Sequence, residues 1–426
     1  MNKLIKDSDV EWIGEIPHHW NIVYFHQFFK QIKNKNVDLQ EKNLLSLSYG
    51  NIVRKDINSK DGLLPENFDG YNIIEKGDIV LRLTDLQNDH KSLRVGLSTE
   101  RGIITSAYVS IRKKSKDLYE KFAYYYLHTF DLVKGFYGMG AGVRQGLNFD
   151  GLKKLPVLLP PLNEQIEIVK LLDEKLSRTN SIIENTKLSV EELKNYKQTL
   201  IKQLITKGLN QNVELMDSGI DFIGEVPVGW AKKKISWIFE TIGSGTTPKS
   251  TNENYYDGNI HWLNTGDLND GFINDTKRKI TKTALDEVSS LKIYPKNSLV
   301  IAMYGATIGK LGITQIPVTT NQACCVMSEA KHENIRFIFY WLLGIRKKIV
   351  SLGYGGTQPN ISQETIKNIK IPLPPIDEQN EIVKYLDNKC LHIDSLIERK
   401  EQFIIQLEEY KKSIIYEYVT GKKGVL

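Results

Sequence analysis

The chain has 426 residues, 41% hydrophobic and 25% charged, with 57 basic against 51 acidic side chains and a formal net charge of +6. That is too long for one ordinary domain and apolar enough for real cores, and the mild basicity permits contact with DNA without requiring it. No stretch has the length and apolarity to span a membrane, Met1–Glu15 is polar so no signal peptide is expected, and Cys324, Cys325 and Cys390 sit in segments that suit reduced thiols in a cytoplasmic protein.

In chain order, the first feature is a short aromatic segment, Asp7–Trp20, reading DSDVEWIGEIPHHW. It returns 210 residues later as Asp217–Trp230, DSGIDFIGEVPVGW. Residues 1–20 and 210–230 therefore read as two straps, which pack Trp12/Phe222 and Trp20/Trp230 against a helix end.

Residues 21–158 form a first globular segment. Strand-like runs (LLSLSYG, GDIVLRL, VGLST, GIITSAYVSIR) alternate with turn residues, a helix is predicted over Leu118–Val133, and a glycine-rich loop, GFYGMGAGVRQG, spans Gly135–Gly146. Residues 231–372 follow the same plan, with HWLNTGDL, SLVIAMYG, KLGIT and ACCVMS as strands, a helix over Asn334–Ser351 and the loop GYGGTQPN at Gly353–Asn360. Both are α/β in composition without a βαβ rhythm. Their ends align (Gly142/Gly356, Leu147/Ile361, Leu152/Ile366), but their earlier parts share little alignable sequence.

Each segment leads into a repeat. Leu159–Lys175, LPPLNEQIEIVKLLDEK, recurs as Leu373–Lys389, LPPIDEQNEIVKYLDNK, 214 residues on with 12 of 17 positions identical. The proline pairs lead into a helix, with Asn163 and Asp377 as expected N-caps. Residues 159–209 and 373–426 then read as long helices, and no Pro or Gly interrupts the apolar run in either. A seam at alternating steps of three and four runs Val169, Leu172, Leu176, Thr179, Ile183, Thr186, Val190, Leu193, Lys197, Leu200, Leu204, and again from Val383 to Tyr418. At ~1.5 Å per residue such helices extend roughly 65–70 Å. Matched seams of that length predict that the two helices pair, antiparallel, as a coiled coil, with Lys197 and Lys411 snorkelling to solvent. The order strap, domain, helix, strap, domain, helix is circular and pseudo-two-fold, and the fold class is α+β.

No catalytic constellation is present. Gly138, Gly140 and Gly142 lack the spacing and the strand–helix frame of a dinucleotide loop. GATIGK at Gly305–Lys310 lacks one spacer residue of a P-loop and is followed by Leu311 where Ser or Thr would hold magnesium. His18–His19 has no partner at metal-ligand spacing, and no Gly-x-Ser-x-Gly elbow occurs. The proline pairs follow Leu rather than Asn or Asp, so they do not form the adenine pocket of an amino-methyltransferase. What remains are polar loops suited to DNA, since Arg, Gln and Asn read base edges while Ser, Thr and Lys mostly hold phosphates. In the first domain these are Arg82, Thr84, Gln87, Asn88, Lys91 and Arg94, with Arg144 and Gln145 at the glycine loop. In the second they are Thr246, Thr247, Lys249, Ser250, Thr265, Lys310, Thr357, Gln358 and Asn360.

The repeated PPL-x-EQ-x-EIV-x-x-L-D helix start, the DS-x-x-E/D-x-IGE-x-P-x-x-W straps, the long helices and the GGTQPNIS loop together resemble the specificity subunit of type I restriction–modification enzymes, over essentially the whole chain. The resemblance implies two target recognition domains held apart by two antiparallel helices, each domain reading one half of a bipartite asymmetric site in double-stranded DNA. It implies no catalysis, cofactor or metal in this chain. It also implies two methyltransferase (modification) subunits using S-adenosylmethionine, and restriction/translocase subunits using ATP and Mg. A fused methyltransferase and a coiled-coil scaffold with two protein- or sugar-binding domains are the rival readings.

Overall fold

The computed structural model describes residues 4–58, 67–89, 92–139, 146–210, 212–353 and 360–424. The two long helices are Leu162–Lys207 and Ile376–Val419, and each is shared between two compact units. One unit comprises Met1–Lys187 with Glu401–Leu426, the other Leu188–Lys400. Both helices start two residues earlier than the expected caps allow. The Pro161 and Pro375 carbonyls accept the first helical hydrogen bonds, from Gln165 and Gln379 N–H, so Asn163 and Asp377 lie inside the first turn rather than capping it.

The seam is buried by helix pairing inside each unit. In the first, Ile168, Val169 and Leu172 share a core with Ile414, Ile415, Tyr418 and Val419; in the second, Ile201, Leu204 and Ile205 share one with Ile382, Val383, Leu386 and Cys390. Ascending numbers on one helix meet descending numbers on the other, so the pairing is antiparallel. Lys197 does not simply snorkel: its Nζ lies 2.6 Å from Asp394 Oδ2 on the other helix. Lys411 bonds Glu408 on its own helix at 3.0 Å. Both pairs are solvent-accessible and add at most about 1 kcal/mol each.

The sheet of each domain shows a kinship that the sequences hide. In the first domain Phe29–Gln31, Val109–Lys113, Ile79–Leu81 and Val95–Leu97 form an antiparallel sheet in that order. In the second, Phe239–Gly243, Cys324–Ala330, Leu299–Ala302 and Leu311–Thr314 repeat the order, and Gly271–Ile273 joins the edge in parallel. Even the turns correspond. Gly77 (φ +92°) and Asn297 (φ +61°) occupy left-handed backbone before equivalent strands, and their N–H groups donate to the carbonyls of Ser98 and Thr314. The first domain helix is Glu120–Leu132; the second, expected as one helix, breaks at Ile345 into Ile335–Gly344 and Arg346–Ser351.

Three identities of the repeat act as polar clamps between a long helix and its domain. Gln165 is fully buried; its Oε1 accepts from Tyr119 N–H, and its Nε2 donates to the Asp117 and Pro160 carbonyls, all at 2.8 Å. Gln379 does the same to Asn334 N–H and the Pro374 carbonyl, both at 2.9 Å. Tyr119 and Asn334 are the N-cap residues of the domain helices, where N–H groups otherwise lack partners. Further along, Asp173 accepts from Lys121 Nζ and Tyr125 OH at 2.6 Å each, and Asp387 accepts from Arg336 and Tyr340 OH. Glu164 and Glu378 accept from the indole N–H of Trp20 and Trp230, at 3.1 and 3.2 Å. These tryptophans anchor the straps: each strap is a hairpin (Ile5–Asp7 with Glu15–Pro17, Leu215–Asp217 with Glu225–Pro227), and each Trp packs edge-on against Phe122 or Phe337 at 6.4 Å.

The three cysteines are buried and unpaired, and burial pushes the Cys325 thiol up to about 12. The clamps also fix how the domain helices correspond: Lys121 matches Arg336, Tyr125 matches Tyr340, and so His128 matches Leu343. His128 stacks on Tyr124, ring centroids 5.7 Å apart, and its Nδ1 has no hydrogen-bond partner. Burial, reinforced by the charge of Lys411, pushes this imidazole down to about 4.

Two predictions follow from these contacts. Replacing Gln165 or Gln379 by Ala strands a buried helix-start N–H and should cost about 1–3 kcal/mol, read as a lower urea midpoint with unchanged slope. His128 is neutral when folded, whereas the unfolded chain takes up a proton below its ordinary value of about 6.5. Stability is therefore complete above that pH and declines as pH falls toward 4, by on the order of 2 kcal/mol at pH 5. His128→Leu, the residue at the matching place in the second domain, should flatten the pH 5–7 part of the stability profile; an unchanged slope would assign the acid sensitivity elsewhere.

Candidate nucleic-acid interface

Antiparallel order brings alternate strand ends together. In the first domain Gln31 pairs with Ile111 and Leu81 with Val109, so the loops leaving Gln31 and Leu81 share one end of the sheet with the turn entering Val109. In the second, Gly243 pairs with Val326 and Ala302 with Cys324, which gathers the loops after Gly243 and Ala302 and the turn before Cys324 at the corresponding end. The residues that follow the glycine-rich segments lie at the same end: Leu147 N–H donates to the Leu83 carbonyl at 2.9 Å, and Ile361 N–H to the Met303 carbonyl at 2.8 Å.

In the first domain, Arg94 departs from its expected role. It is wholly buried, its Nη1 donating to the carbonyls of Arg82 (3.0 Å) and Thr84 (2.8 Å), its Nη2 to those of Asp85 and Asp89, and its Nε to Tyr137 OH at 3.0 Å. Its own N–H donates to Asp131, whose carboxyl burial pushes upward. With its donors all directed inward, Arg94 has none to offer a duplex. It is the internal anchor that gives the 82–89 loop its shape, with Asp85 in left-handed backbone (φ +57°). That loop exposes Thr84, Gln87 and Asn88, while Arg82 is partly covered and lies 3.6 Å from Asp89. Asn88 Nδ2 donates to Asp85 Oδ1 at 2.8 Å. Lys91, Arg144 and Gln145 lie outside the described residues, as do Thr357 and Gln358 of the second domain.

In the second domain, Thr247, Lys249, Ser250, Lys310 and Asn360 are exposed, and Thr246 and Thr265 are half-buried. Thr246 has a packing role, since its carbonyl accepts from Trp262 Nε1 at 3.2 Å. Thr265 opens a single 3-10 turn, Thr265–Asp267, closed by reciprocal Asn264 and Asp267 capping. Lys310 ends the GATIGK turn, where Gly305 and Gly309 both have positive φ and Gly309 N–H returns to the Ala302 carbonyl. The expected residues thus converge on one end of the sheet. The sequence reading missed the turn that stitches them together. Gly245 N–H donates to Thr320 Oγ1 at 3.0 Å, Thr247 Oγ1 donates to Gln322 Oε1 at 2.8 Å, and Asn321 N–H donates to the Leu263 carbonyl at 3.1 Å. The available signal was the polar Asn-Gln pair between two apolar runs.

Neither end resembles a catalytic centre. Among the described residues there is no group of three or more His, Cys, Asp or Glu that could hold a metal ion, and no helix is long and apolar enough to cross a membrane. What the two ends offer is neutral amides and hydroxyls on rigid turns, with lysines at their margin, a chemistry suited to base edges and phosphates.

Comparison with known proteins places this arrangement. The family of the type I restriction modification DNA specificity domain matches twice, over residues 17–192 and 227–409. A putative type I restriction enzyme MjaX specificity subunit of Methanocaldococcus jannaschii is 25% identical over 423 residues, covering 96% of this chain and 95% of that protein. The EcoR124I/EcoR124II specificity subunit of Escherichia coli is 25% identical over 313 residues, 70% of each. In fold, the chain is similar to one solved in a study of assembly and conformational transition of the type I R-M system (TM-score 0.75, 16% identity, 96% of this chain and 99% of that one). It is also similar to the HsdS subunit of Thermoanaerobacter tengcongensis (TM-score 0.57, 16% identity, 96% and 98%). Matched in both of its repeated halves, the chain belongs to the type I restriction–modification DNA specificity family.

Proposed function

We propose that this chain is the DNA-reading subunit of a type I restriction–modification complex, a specificity subunit without catalysis of its own. The observation that carries the reading is that two sheets of one topology end in turns of different polar sequence. Unequal turns imply unequal half-sites, so the target is bipartite and asymmetric. The paired helices link the two readers and set the unread gap, with half-sites about one DNA turn, roughly 34–36 Å, apart. Two methyltransferase subunits carrying S-adenosylmethionine, and restriction/translocase subunits using ATP and Mg, would supply the chemistry. The helix pair and straps, common to both halves, are the natural docking surface for two copies of one partner. The cysteines, all buried, with burial raising each thiol's pKa, suit a reducing compartment such as the cytoplasm.

Methylome sequencing of a host carrying the system tests this: the expected result is adenine methylation at a split, asymmetric motif, and a continuous or palindromic motif would overturn it. Removing four or seven residues within Glu184–Leu193 and from the matching turns of the second helix should alter the gap while both half-site sequences persist.

The loop residues should separate into two classes. Arg94→Ala leaves several buried carbonyls without a donor and should lower stability by about 2–3 kcal/mol, together with loss of the first half-site. Lys310→Ala should leave stability unchanged, weaken binding evenly across sequences and reduce the salt slope by about one. Equal thermal stability of the Arg94→Ala and wild-type chains would refute the anchoring role.

A further inference from the structure

We infer that Gln322 is a base-reading side chain of the second domain and that Thr247 is its positioning residue. This rests on the DNA-reading role proposed above and names the residue on which one part of that role falls. Gln322 is exposed at the loop end of the sheet, in the tight turn between Thr319–Thr320 and Cys324–Ala330. A long exposed amide ordinarily samples many rotamers and loses that freedom on binding. Here the Thr247 hydroxyl donates to its Oε1 at 2.8 Å from the neighbouring loop, which restricts the side chain. The oxygen keeps a second lone pair, and Nε2 keeps its two N–H donors. That acceptor–donor pair is what adenine requires in the major groove, where N6–H donates and N7 accepts.

The support beneath the pair is rigid. Gly245 N–H bonds Thr320 Oγ1, and the two backbones approach so closely that a Cβ on Gly245 would lie 1.8 Å from the Thr320 carbonyl oxygen. Only glycine allows this approach, which brings Thr247 within reach of Gln322. Asn321 ties the same turn to the Leu263 carbonyl through its N–H and to Ala323 N–H through its Oδ1. Thr320 continues a parallel pairing with Leu263, so the turn grows directly out of the sheet. A reader held by its neighbours on a strand-anchored turn has the preorganisation that base discrimination needs. Lys249 and Ser250 stand exposed on the same loop as Thr247, placed for phosphates rather than bases.

The test uses the full chain assembled with its methyltransferase subunits and a randomised duplex library, followed by competition binding with each half-site position varied. Gln322→Ala should erase the preference at one position of one half-site, a loss of about 10- to 100-fold in discrimination, with the other half-site and thermal stability unchanged. Thr247→Val keeps the shape and removes the hydroxyl, and should relax the same position partially. Gln322→Glu should move that position from adenine toward cytosine, whose N4–H donates to a carboxylate. If Gln322→Ala retains every base preference, or weakens all sequences evenly as a phosphate contact would, the assignment is wrong. If the wild-type complex selects no sequence at all, the DNA-reading role itself falls, an outcome distinct from a specific wild type matched by an equally specific variant.

Discussion

The buried glutamine that begins each long helix is the interaction on which the architecture depends. A helix of more than forty residues with a narrow apolar seam needs another helix along its length, and that pairing alone would not fix where a sheet domain sits. Gln165 and Gln379 supply the fix. Each reaches out of the first helical turn to the N-cap backbone of its domain helix, and each is almost inaccessible to water. Inside a low-dielectric contact, an amide with its partners in place is directional, and a displaced one leaves polar groups stranded. Asp173 and Asp387 then bind the same domain helices further along, so two polar points fix both position and rotation.

Much of this was legible because the repeat is a literal one. Twelve identities in seventeen residues revealed two halves, and the three-four spacing revealed helices that pair. The seam predicted burial of Val169, Leu172, Val383 and Leu386, and these positions are buried. The roles of Glu164, Gln165 and Asp173 were not legible, because their partners Trp20, Tyr119 and Tyr125 lie far off in sequence and nothing local marks them. The helix starts were placed late for a related reason: a proline carbonyl can open a helix as well as an Asn side chain can cap it, and composition does not distinguish the two.

The candidate interface was legible in outline and not in detail. The polar residues between apolar runs were expected in loops, and those that are described lie in turns at strand ends, where an antiparallel sheet places them. Arg94 shows the limit: an arginine in a polar loop reads as a DNA contact, yet a loop without regular backbone pairing needs donors for its own carbonyls, and Arg94 provides them. The common strand order of the two domains was hidden because short runs buried on both faces are apolar throughout, so the match between Ile79–Leu81 and Leu299–Ala302 is one that many buried strands would share.

The distribution of contacts within each domain explains how a fixed scaffold and a variable reader coexist. The domain helix starts at the glutamine clamp, beyond the far end of the strand Val109–Lys113, and runs back toward the end that carries the polar turns. There its last turn supplies Asp131, which holds the Arg94 backbone. Thirteen residues at ~1.5 Å each put about 20 Å between the clamp and those turns. In the second domain the broken helix makes the same traverse, from Asn334 at the clamp to Arg346, which bonds Asp270 and lies beside Gly309 of the GATIGK turn. Substitutions at the exposed tips of the turns therefore leave the clamp untouched, and a change at one clamp acts on its own domain. A chain built from two such units can vary one set of turns without altering the other, because the residues the halves share lie at the clamp, away from the turns that differ.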